Sequence, residues 1–95
     1  MQLTSGHYIF MNEQNELELK KMYWHSRRGM LELDLILVPF AEKKLPALAE
    51  GQQKEYARLL QEEDQDLYQW LVKGVASAEP ALQPIIDIIR QSGSA

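Results

Sequence analysis

From residue 31 to residue 37 a leucine stands at every second position: Leu31, Leu33, Leu35 and Leu37, with Glu32, Asp34 and Ile36 between them. Alternation of this kind is a strand signal. It restricts the fold more than any other feature, because a strand needs a partner. A lone strand leaves its backbone N–H and C=O groups unpaired, and no second strand-like run occurs in the chain. The same residues also satisfy a helix: Met30, Leu33, Leu37 and Phe40 fall on one stripe, with Ile36 alongside. Leu and Met favour helix more than β-branched residues would. The segment from Met30 to about Lys44 is therefore expected to be helical, with Pro39 either kinking it or ending its first part.

Gly and Pro cut the rest of the chain into segments of about 10 to 17 residues, a length that favours helices. Asn12 or Asn15 can cap a first helix running to about His25, with Leu17, Met22, Tyr23 and Trp24 as its apolar residues. Ser26, Arg27, Arg28 and Gly29 then form a corner. A third helix, about Gln52 to Glu63, is expected to bury Tyr56, Leu59 and Leu60. A fourth runs from Gln65 to Lys73 with Asp64 as N-cap. It places Leu67, Trp70 and Leu71 on one stripe as core residues, and Gly74 ends it. A fifth, about Ala81 to Gln91 or starting nearer Pro84, carries Leu82, Ile85, Ile86, Ile88 and Ile89. The expected fold is all-α, one compact domain of about five short helices. It would occupy residues 12–91, preceded by a disordered extension or remnant at 1–11, where Met11 is a second possible start, and followed by a frayed tail at 92–95.

Several function classes are excluded. A chain of 95 residues holds one core and leaves no room for a deep substrate cavity. A net charge of −4 argues against a nucleic-acid partner. There is no cysteine, so disulfides, thiolate metal sites and cysteine nucleophiles are absent, which suits a reducing cytoplasm. The longest apolar run, Leu35 to Phe40, contains Pro39 and falls far short of the roughly 20 residues that span a bilayer. No phosphate-binding glycine loop and no nucleophile–base motif occurs. The two histidines, His7 and His25, have no metal-ligand spacing.

Two features remain. Glu62, Glu63, Asp64 and Asp66 form an acidic run that is either a solvated helix end or an acidic docking face. Arg28, Gly29, Glu32 and Asp34 form the second. On a helix Arg28 and Glu32 share a face, either as a weak surface ion pair or as the two sides of a flat docking spot at Gly29. A glycine at a helix start implies a positive φ or a close approach. Asp34 lies about 200° round a regular helix from Glu32 at 100° per residue, so it is expected to anchor the corner internally.

The run Tyr23-Trp24-His25-Ser26-Arg27-Arg28-Gly29-Met30-Leu31-Glu32-Leu33-Asp34, followed by Pro39-Phe40, resembles the SdhE (YgfY) family, the FAD assembly factors of succinate dehydrogenase. These are related to the mitochondrial succinate dehydrogenase assembly factors. The family hallmark R-G-x-x-E-x-D is matched by Arg28, Gly29, Glu32 and Asp34. A second patch, Leu59-Leu60 with Asp64-x-Asp66-Leu67-x-x-Trp70-Leu71, is also similar to the family, and the resemblance runs from about Leu17 to Ile89. It departs at the ends, in residues 1–10 and at the Pro80/Pro84 pair.

The resemblance implies a five-helix factor that binds the flavoprotein subunit of succinate dehydrogenase, and of fumarate reductase too. It would promote covalent attachment of FAD to a client histidine. The FAD would belong to the client, with no cofactor held stably here. Such a factor is no enzyme; it acts by positioning its client. Arg28, Gly29 and Glu32 would contact the client, Arg28 through charge-assisted hydrogen bonds and Glu32 as a contact or as the brace for Arg28. The family also suggests an alternative, an antitoxin-like module of a toxin–antitoxin pair. An FAD-carrying protein is a further class that yellow colour would reveal.

Overall fold

The computed structural model describes residues 15–93. All regular structure among them is helical, as the missing strand partner requires. Helix α1 covers 15–26. It is followed by α2 (Leu31–Lys43), a short 3₁₀ turn (Leu45–Ala47), and α3 (Glu50–Leu59). Helix α4 (Asp64–Leu67) runs directly into a π-helical turn (Tyr68–Val72). A second 3₁₀ turn (Pro80–Leu82) leads into α5 (Gln83–Gly93). The expectations for residues 1–14, including an Asn12 cap and a disordered extension at 1–11, lie outside the described residues.

Helix α2 is the central element, packing on α5 and on the π turn. It buries Leu33, Leu37, Phe40 and Ala41 and leaves Leu31 and Leu35 exposed. The helical stripe thus prevails over the alternation. Pro39 neither ends α2 nor sits against the core. It is exposed, and so is Leu35, whose carbonyl loses its usual i+4 donor there. Solvent can take that role. Acidic Glu32 and Asp34 in the first turn and Lys43 in the last suit the helix dipole.

Helix α3 starts at Glu50, earlier than expected, because the Gln52 side chain accepts the Ala49 N–H at 3.1 Å. It ends at Leu59 and buries Tyr56 and Leu59, with Leu60 at its C-cap. The Phe40 and Tyr56 rings meet at 5.3 Å between centroids. Helix α4 departs from expectation twice. Its cap residue is Glu63, with no side-chain cap bond, and its later turn widens to π, the Lys73 N–H donating to the Tyr68 carbonyl. Gly74 then takes a φ of +79° and the Val75 N–H reaches the Gln69 carbonyl at 2.9 Å. That is a glycine-closed helix end with one extra residue in the loop. Leu67, Trp70 and Leu71 are all buried.

In α5, Ile85, Ile86 and Ile89 are buried and Ile88 is half-buried, with Leu82 buried just ahead of the helix. The helix continues through Gly93, with Ser92 Oγ donating to the Ile88 carbonyl, so 92–93 belong to it rather than to a frayed tail. In α1 the expected apolar set divides. Met22 and Tyr23 pack on the core together with Leu19, whereas Leu17 and Trp24 face out.

Candidate functional site

The corner between α1 and α2 is held by three hydrogen-bonded groups. The first is a hydroxyl relay at the end of α1. Ser26, fully buried, donates to the Met22 carbonyl at 2.7 Å and lies 2.6 Å from the Tyr56 hydroxyl. A serine has one hydroxyl proton, so the Tyr56 O–H donates to Ser26 Oγ. Burial pushes the Tyr56 pKa up to about 12, against the smaller opposing effect of the Arg28 charge. The relay ties α1 to α3.

The second group is the Asp34 carboxylate. It lies in the first turn of α2 and points back, accepting the backbone N–H of Arg28 at 2.8 Å and that of Gly29 at 3.3 Å. Asp34 therefore anchors the corner from within the chain. Gly29 itself has φ +87°, and a Cβ there would meet nothing within 4 Å. Its backbone conformation, and no close approach inside the protein, is what calls for glycine.

The third group is Arg28, and here the structure corrects the reading from sequence. Arg28 precedes α2, so it does not stand one turn behind Glu32, and no bond joins the two among those of the described residues. Its Nε donates to Asp64 Oδ1 at 2.8 Å, its Nη1 to the carbonyls of His25 (3.2 Å) and Leu60 (2.9 Å), and its Nη2 to the Glu62 carbonyl (2.8 Å). Four of the five guanidinium N–H groups are thus used within the chain. The side chain is 11% exposed, too little to offer a broad face to a partner. Asp64, expected to cap α4, spends its carboxylate on this clasp instead.

Glu32 remains exposed. It lines a cleft of about 420 Å³ with Met30, Gln65, Asp66, Tyr68 and Gln69. The cleft therefore lies between the start of α2 and the α4–π segment. On the other side of the corner Trp24 is 65% exposed. Its ring meets Tyr23 edge-on at 5.6 Å, and the Arg27 guanidinium lies over both rings. A hydrogen bond to the Tyr23 hydroxyl raises the Arg27 pKa further above its high ordinary value.

Gly29 and Glu32 thus face outward, Arg28 and Asp34 build the corner, and Leu67, Trp70 and Leu71 lie in the core beneath. Sequence reasoning missed the Arg28 partners in the α3–α4 loop and the pairing of Ser26 with Tyr56. Periodicity cannot show either, because each joins residues 30 or more apart. The one available signal was Asp64 recurring in the second family-like patch. Among the described residues no group of three or more His, Cys, Asp or Glu could hold a metal, and no helix is long and apolar enough to cross a membrane.

A family model described as flavinator of succinate dehydrogenase matches residues 20–92. The chain is 47% identical to the FAD assembly factor SdhE of Pseudomonas putida over 74 residues, 78% of this chain and 88% of that one. It is 43% identical to the FAD assembly factor SdhE of Pseudomonas aeruginosa, over 79% of this chain and 89% of the relative. The identity to the protein of the same name from Pasteurella multocida is 34%, over 86% and 94%.

Proposed function

Because the chain belongs to the family of flavinators of succinate dehydrogenase, we propose that it is an assembly factor for the flavinylation of that enzyme and is not itself an enzyme. The single observation that carries this is the family match, which spans the corner, the clasp and the core together. The factor binds the flavoprotein subunit and holds it where a client histidine and the flavin meet. Orientation alone can lower such a barrier by several kcal/mol, with a ceiling of roughly 7–11 kcal/mol in well-ordered systems. FAD and the client supply the reacting groups, and no FAD stays on this chain.

Gly29 and Glu32 touch the client. Gly29 leaves open space above the backbone, and Glu32 presents a carboxylate at the rim of the cleft. Arg28 contributes mainly by fixing the corner, with one Nη2 proton left for the client. Fumarate reductase, whose flavoprotein the family resemblance also suggests, is a second client of the same surface.

The test is in-gel flavin fluorescence of both flavoproteins in cells lacking an endogenous factor, with and without this gene. Restored fluorescence of the succinate dehydrogenase subunit is the expected result, lost again in Glu32→Ala at an unchanged melting temperature. No gain in covalent flavin from the wild-type gene overturns the assignment.

A further inference from the structure

The outer face of α2 carries more apolar surface than the corner needs. Leu31 is 69% exposed and Leu35 66%, one turn apart on a helix whose opposite stripe fills the core. Both belong to the same helix start as Glu32. Below Leu35 the face opens into a groove of about 280 Å³ between α2 and α5, lined by Leu35, Pro39 and Phe40 on one side and Ile89 on the other. Lys43 and Lys44 line the groove where α2 ends, with Ser92 and Gly93 at the end of α5, and among the described residues no carboxylate lines it. Neither lysine makes an ion pair among the described residues. In a chain of net charge −4 this is a locally cationic, apolar strip.

We propose that this strip is a second contact for the client, a groove that takes an apolar segment of the flavoprotein ending in an acidic side chain. This rests on the assembly-factor reading above. The charge sets the polarity of the bound segment: apolar side chains lie along Leu31, Leu35 and Pro39, and the carboxylate lies by Lys43 and Lys44. The strip is continuous with Gly29 and Glu32 through Leu31, so a single client surface can cover both. Exposed leucines flanked by cations that make no ion pair among the described residues are what a protein interface with an apolar centre and a charged rim requires. The groove is shallow and open-sided, at or below the size of pockets that enclose a small molecule. That disfavours an enclosed lipid chain or metabolite.

The experiment titrates the purified flavoprotein subunit against the full chain and against Leu35→Glu and the double variant Lys43→Glu/Lys44→Glu, with a thermal melt of each. Leu35 and the two lysines are exposed, so all melts should stay within a few degrees of wild type, the lysine variant losing most because it puts negative charge at the C-terminal end of α2. Leu35→Glu should weaken binding at least about 10-fold. The lysine variant should weaken it several-fold, and its binding should depend less on salt than the wild type's.

Equal affinity of the variants and the wild type overturns the groove and leaves the assembly function standing. Wild type that fails to bind the client or to raise its covalent flavin overturns both. Two further results overturn the occupant. One is wild-type dimerisation in sedimentation that Leu35→Glu abolishes while client binding persists. The other is flotation of the wild type with phosphatidylcholine/phosphatidylglycerol vesicles that the lysine variant loses, again with client binding intact.

Discussion

At the scale of single residues, Arg28 decides how the hallmark motif is understood. From sequence it is an exposed half of a weak ion pair, and its loss would hardly affect folding. In the structure it joins the corner to Asp64 and to the carbonyls of Leu60 and Glu62. Arg28→Ala removes all of these and leaves carbonyls short of donors, at a cost of roughly 2–3 kcal/mol, Asp64 being partly solvated. A fall in melting temperature of roughly 10 °C is expected by calorimetry. Arg28→Lys keeps the charge but not the planar fork, and should recover only part of it. An unchanged melt for Arg28→Ala would return the residue to the surface role read from sequence. Tyr56 gives a second test. Its pKa is about 12 in the folded protein and near 10 in unfolded chains. The proton is held more tightly in the fold, so the stabilisation is complete below pH 10 and is lost as pH rises towards 12. Tyr56→Phe should remove on the order of 2 kcal/mol of that alkaline dependence. The comparison is between the two melting curves over pH 9–12, and identical slopes would contradict it.

At the scale of elements, legibility in the sequence followed the range of the forces involved. The apolar stripes of α3 and α5 were plain, because burial acts on spacing within one helix. The α2 alternation was resolved by backbone accounting: Leu33 and Leu37 went inward, and Leu31 and Leu35 were left to solvent. The π turn was not legible. Leu67, Trp70 and Leu71 satisfy an ordinary helix, and only the registry of Lys73 on Tyr68 reveals the added residue. Leu17 and Trp24 are apolar in sequence yet face out for a related reason, since α1 meets the core on Leu19, Met22 and Tyr23, and one helical face cannot hold them as well. Two substitutions probe the α4–π element. Trp70→Ala should cost about 3–5 kcal/mol in chemical denaturation, as a buried large-to-small change. Gly74→Ala would place a Cβ 2.8 Å from the Arg90 guanidinium at a φ of +79°. The arginine tip can swing aside, so backbone strain of about 1 kcal/mol should be what is measured. A loss as large as that of Trp70→Ala would show that Arg90 cannot move.

At the scale of the whole molecule, the family match begins at residue 20 and ends at 92, and the core draws on every helix between. Removal of residues 1–10 should leave the melt and client flavinylation unchanged. Loss of either in the shortened chain would assign those residues a part in the domain or in docking. The clasp carries a further consequence. Every hallmark residue lies between 28 and 34, yet their arrangement is completed by a loop 32 to 36 residues further along. The motif is therefore not portable. A synthetic peptide spanning residues 15–44 contains the entire hallmark but neither Tyr56 nor Asp64, and it should fail to compete with the intact protein for the flavoprotein even at large excess. Grafting the hallmark onto another helical hairpin should fail likewise, unless the acceptor supplies a carboxylate and two free carbonyls where Asp64, Leu60 and Glu62 stand.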